Sequence, residues 1–252
     1  MFYIAEHKNY SGKNPFKILH YKLFPINRVP QICKNDICEY GKYTIRTVKG
    51  RVDADKINRK LGVLSRRLVL PNTLKSCKID CFSSKHFIQN ALFNTAYYIL
   101  KQMKCERRLL EIAVIDTKGE FVRKSQQLLK VAGTVVIFTE KPKEYSYVSA
   151  ENLQEFGADF VLRNKECTSA DISFIVSPTE NVPCIYIKNH RFELDTEVFS
   201  LAPGFTRQID SSISTADFLA AAEVFSKVPK VETLKSEKLR VGGRAVDVSG
   251  LF

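Results

Sequence analysis

No stretch of this chain approaches the roughly 20 consecutive apolar residues of a membrane-spanning helix. The opening residues, MFYIAEHKNYSG, hold no apolar run of signal-peptide length and carry Glu6 among them. The expectation is a cytoplasmic protein with no membrane partner. Signature motifs are missing too. There is no Walker loop, no His-Glu-x-x-His and no Gly-x-Ser-x-Gly elbow, and no kinase signature. No reaction is therefore fixed, and catalytic residues and cofactor both stay unidentified. Repeats and low-complexity tracts are absent. Seven cysteines are present, an odd number, and none forms a Cys-x-x-Cys pair. Without a secretion signal most are expected to be free thiols. Cys33, Cys38, Cys77 and Cys81 could supply four thiolates to zinc, but their irregular spacing does not select a metal.

What the chain does have is apolar substance, 44% of 252 residues, with an ordinary 26% charged. That is enough to bury a core and argues against broad disorder. The most informative stretch is 109–187. LLEIAVID is short, apolar and β-rich. GEFVRKSQQLLKVAG has helical spacing and ends in Gly133, and TVVIFTE is again apolar and β-branched. This is the βαβ order of a doubly wound α/β domain. ADFVLR and DISFIVSP read as the third and fourth strands, and PCIYI as a fifth.

Over these residues the layout resembles Rossmann-type dinucleotide-binding domains, which require Gly-x-Gly-x-x-Gly straight after the first strand. Here the three glycine positions fall on Asp116, Lys118 and Phe121, and Gly119 is out of register. Asp116 sets a carboxylate where a pyrophosphate would lie, and like charges repel at that range. Phe121 suits a core stripe with Val122, Ser125, Leu128, Leu129 and Ala132. Two features still favour a ligand. Backbone N–H groups at the start of a helix can receive an anion, with Lys118 assisting. Glu140 ends the second strand 24 residues after Asp116, where an acid commonly holds a ribose. The alternatives are that Asp116 caps the helix and Glu140 opens a solvated loop. Ligands of open α/β sheets sit beyond the carboxyl ends of the strands. The candidate binding residues are accordingly Asp116, Thr117, Lys118, Gly119, Glu140, Ser177 and Thr179. Cys184 with His190, and His190 with Asp195, are conceivable nucleophile pairs by spacing alone.

Charge is divided unevenly. Residues 1–108 hold 22 Lys and Arg against 7 Asp and Glu, whereas 109–252 hold 17 against 20. The break coincides with the start of the βαβ pattern, which suggests a boundary there. The expected organisation is a basic N-terminal α/β domain over 1–83 and a connecting helix over 84–108. A Rossmann-like, mostly parallel domain follows over 109–226, then a basic linker with a C-terminal hairpin over 227–252. In the first part FYIAEH, FKILHYKLF, YTIRTVKG and RRLVLP read as strands, and DADKINRKLGVL as a helix. Two functions fit best. One is binding of a nucleotide-like or other anionic small molecule by a degenerate Rossmann-like domain. The other is a non-catalytic interaction module that turns its basic half, Lys56, Arg59 and Lys60 included, toward an acidic protein. Nucleic-acid binding by 1–108 is a weaker third, since no helix-turn-helix, RNP or zinc-finger signature accompanies the charge.

Overall fold

The structure is a computed structural model. It describes residues 1–34, 38–103, 106–163, 172–180, 182–188, 190–194, 212–226, 238–241 and 244–247. The chain is mixed α/β and falls into two compact units, Met1–Lys85 with Leu201–Glu232, and His86–Ser200 with Thr233–Phe252. Among the described residues no helix is long and apolar enough to cross a membrane.

The first unit begins with β1 (Tyr3–Tyr10), α1 (Pro15–Leu23), β2 (Gln31–Lys34) and β3 (Glu39–Val48), followed by α2 (Ala54–Leu61) and the two-residue β4 (Leu68–Val69). Its sheet has the order β2-β3-β1-β4. β1 runs parallel to β3 and β4, and β2 closes one edge antiparallel to β3. Ala5, Tyr43 and Ile45 on the sheet meet Ile57 and Leu61 of α2 and Leu68, Leu70, Leu74 and Ile79 beyond it. Apolar burial of this kind is the main stabilising term. The alternation in FKILHYKLF suggested a strand, but these residues are helical. Asn14 Oδ1 accepts from the N–H groups of Phe16 and Lys17, and Pro15 occupies the first turn. Both devices start helices.

The second unit opens with α3 (Lys85–Gln102), whose inner side is Phe87, Ala91, Leu92, Phe93, Ala96, Ile99 and Leu100. Then come β5 (Glu111–Ile115), α4 (Val122–Leu128), β6 (Thr134–Phe138), α5 (Pro142–Ser146), α6 (Ser149–Phe156) and β7 (Phe160–Arg163). β8 (Phe174–Ser177), β9 (Cys184–Ile187) and β10 (His190–Leu194) continue the sheet. The four parallel strands stand in the order β7-β6-β5-β8, so the chain steps outward from β5 and then crosses to its other side. β5, β6 and β8 are buried on both faces, as parallel strands are. Beyond β8 the sheet turns antiparallel through β9 and β10. It is thus mostly parallel over these six strands, three pairings of five, and mixed as a whole.

α7 (Thr215–Ser226) belongs to the first unit. The organisation expected from the sequence places these residues in the domain over 109–226. Instead Phe218 stands edge-on to the rings of Phe2 at 5.4 Å and Tyr40 at 5.8 Å, and Phe225 edge-on to Phe82 at 5.4 Å. Asp217 in its first turn accepts from Ser84 Oγ at 2.5 Å and pairs with Lys75 Nζ at 2.6 Å. The last hairpin is β11 (Lys238–Val241) with β12 (Arg244–Asp247), antiparallel as its sequence suggested. Gly242 and Gly243, the basic linker, Cys105, Cys167, Asn164 and Asp195 lie outside the described residues.

Candidate functional site

The site is built at the carboxyl end of β5. Asp116 continues the strand by one residue, its N–H donating to Phe138 O at 3.0 Å. The chain then turns, and the N–H of Gly119 reaches back to Asp116 O at 3.3 Å. Gly119 has φ +70°, and a Cβ there would meet Glu144 Cγ at 3.0 Å and Lys141 Cβ at 3.1 Å. The out-of-register glycine therefore serves a tight turn pressed against the start of α5.

The Asp116 carboxylate folds back under this turn and is fully buried. Oδ1 accepts from Glu120 N at 3.1 Å, and Oδ2 from Phe121 N at 2.8 Å and from Tyr145 Oη at 2.7 Å. Burial, with the charge of Asp116 next, raises the Tyr145 phenol far above its usual range, so it remains a donor. Three donors satisfy the buried carboxylate. The N–H groups of Glu120 and Phe121 at this turn are taken by the chain's own carboxylate, which carries the same sign of charge as a phosphate. α4 is only seven residues long and adds little dipole. Phe121 is 4% exposed and stacks on Phe93 at 5.5 Å, so it is a core residue.

The other candidates gather around this turn by their backbones. Thr117 O accepts the N–H of Glu140 at 3.2 Å, joining the loops after β5 and β6. The side chains of Lys118 and Glu140 are exposed. Thr179 Oγ1 donates to Ile115 O at 3.0 Å and ties the loop after β8 to the end of β5. Ser177 ends β8 fully buried, and its hydroxyl has no hydrogen-bond partner among the described residues. The sequence reading missed Tyr145 and Gln89. Gln89 donates from Nε2 to Pro178 O at 3.0 Å, while its Oε1 has no partner among the described residues. Tyr145 lies 29 residues from Asp116, in a stretch whose polar composition gave no sign of burial.

Cys184 and His190 do not form a pair. Across the β9–β10 hairpin Cys184 faces Glu193 while His190 faces Ile187, three register positions apart, roughly 10 Å. Around Cys184 stand Glu180, Tyr186 and Arg191. Tyr186 Oη donates to Glu180 at 2.9 Å, and Arg191 pairs with Glu193 at 2.6 Å and Glu180 at 3.4 Å. Burial pushes the Cys184 thiol up, away from thiolate chemistry. Among the described residues no group of three or more His, Cys, Asp or Glu could hold a metal ion. In the basic unit, Tyr43 is a core residue packed on Tyr3 at 5.2 Å. It has no free face for a base to stack on. No known protein family, curated protein or solved structure matches the chain.

Proposed function

We propose that the second unit is a degenerate Rossmann-like domain kept as scaffold, and that the protein works as a non-catalytic interaction module whose basic first unit engages an acidic protein. The observation that carries the reading is the Asp116 carboxylate seated on Glu120 N, Phe121 N and Tyr145 Oη. It occupies two backbone donors that a pyrophosphate would use, and the strand order β7-β6-β5-β8 supports the Rossmann-like reading. The charge supports the other half: between Met1 and Lys85 stand 18 Lys and Arg against 6 Asp and Glu. Such an excess attracts polyanionic partners and speeds their encounter.

The test is binding of poly-glutamate to the full chain across a salt series. Saturable binding that weakens with salt, and weakens further in the triple variant Lys17→Glu, Arg59→Glu, Lys60→Glu, is expected. Binding indifferent to both would sink the reading. A nucleotide-like or other anionic ligand set beside the turn, at the ends of β5 and β8, is the second reading. The buried, unpartnered Ser177 hydroxyl favours it, and stabilisation by nucleotides would select it.

A further inference from the structure

Helix α1 is amphipathic but turned outward. None of its nine residues is buried. Phe16, Leu19 and Leu23, at positions i, i+3 and i+7, are 82%, 55% and 48% exposed, and Phe24 follows at 36%. That spacing makes one stripe, and an exposed apolar stripe inside a charged surface marks an interaction site. The charge around it is of one sign. No carboxylate occurs between Glu6 and Asp36, while Lys8, Lys13, Lys17, Lys22, Arg28 and Lys34 do. α2 adds two more cations at the helix's end. Lys56 Nζ donates to Lys22 O at 2.9 Å, and Lys60 Nζ stands 5.5 Å from the Phe24 ring centre. Lys17, Lys22, Lys56 and Lys60 have no carboxylate partner among the described ion pairs.

From this charge complementarity we infer that α1 is the docking face for an amphipathic acidic helix, its apolar side on Phe16, Leu19 and Leu23 and its carboxylates on the surrounding lysines. The inference rests on the acidic-partner reading and names the partner's form. Apolar anchors at i, i+3 and i+7 suit a helix partner. Two of the three anchors are leucines, which offer no ring for a nucleobase. The stripe is about 11 Å long, too small an area to anchor a bilayer alone. A second copy of the chain would bring its own charge of +12 against this one.

The experiment uses a dye-labelled helical peptide of about 18 residues with leucines on one face and glutamates on the other. The same composition shuffled off one face, and poly-glutamate of equal length, serve as references in anisotropy titrations of the full chain. The patterned peptide should bind at least about tenfold tighter than either reference. Leu19→Ser and Phe16→Ala, both at exposed positions, both charge-neutral and checked for folding by circular dichroism, should abolish that advantage and leave poly-glutamate binding unchanged. An absent advantage, or one that survives both substitutions, overturns the inference while poly-glutamate binding keeps the broader reading. Loss of poly-glutamate binding as well overturns both. Tighter capture by phosphatidylserine vesicles or single-stranded DNA, lost in Leu19→Ser, would assign the face to those partners instead.

Discussion

Asp116 decides the character of the second unit at the scale of single residues. A carboxylate with no exposed surface is costly unless donors surround it, and here two backbone N–H groups and one phenol do so. Tyr145→Phe removes one donor to a buried charge and should cost about 2 kcal/mol in urea unfolding; an unchanged midpoint would show that the Tyr145 hydroxyl contributes nothing. Asp116 was legible as a helix cap, but its carboxylate instead braces the turn at Glu120 and Phe121, and α4 starts after Phe121 with no side-chain cap. Tyr145 was not legible, because nothing local tells a buried Tyr in KEYSY from a solvated one. His7 carries a second residue-scale effect. Its ring bridges Thr47 Oγ1 at 2.9 Å and Thr73 Oγ1 at 3.1 Å, and burial lowers its pKa. The unfolded chain therefore takes up the proton first as pH falls. Stability should be full above about pH 6.5 and decline as pH drops from there toward the lower folded value. His7→Gln should flatten that part of a stability–pH curve, and an equal slope in both proteins would refute the assignment.

Turns and caps rather than strand patterns set what the elements do. Gly119 holds φ +70°, and a Cβ there would come within 3.0 Å of Glu144 Cγ and 3.1 Å of Lys141 Cβ. Gly119→Ala should thus destabilise the protein by about 1–3 kcal/mol, read as a lower melting temperature; tolerance would mean the turn has another conformation open to it. α1 shows why part of the fold was hidden. Phe16 and Ile18 alternate like a strand, yet Asn14-Pro15 just before them begins a helix. The period misled because these side chains are largely solvent-facing, so burial does not organise them. The antiparallel β9 could have been read from spacing. Only six residues separate Ser177 from Cys184, too few for a parallel crossover of a dozen or more. The β5–α4–β6 order, in contrast, was plain, since buried parallel strands are apolar throughout.

At the scale of the whole molecule, charge and topology divide the work. The first unit holds the basic excess and the outward-facing α1, and the second the strand order β7-β6-β5-β8 and the closed turn. The return of α7 to the first unit could not be foreseen. It follows the second unit's strands in sequence, and only Phe218 on Phe2 and Tyr40, with Asp217 on Lys75 and Ser84, reveals its place. The account turns on the closed turn, and a thermal-shift titration of the full chain with NAD(P), FAD, ATP and S-adenosylmethionine tests it most directly. No shift in melting temperature at millimolar ligand is predicted. A saturable rise of several degrees with any of them, on the order of what ligand at 100 times its Kd confers, would contradict it.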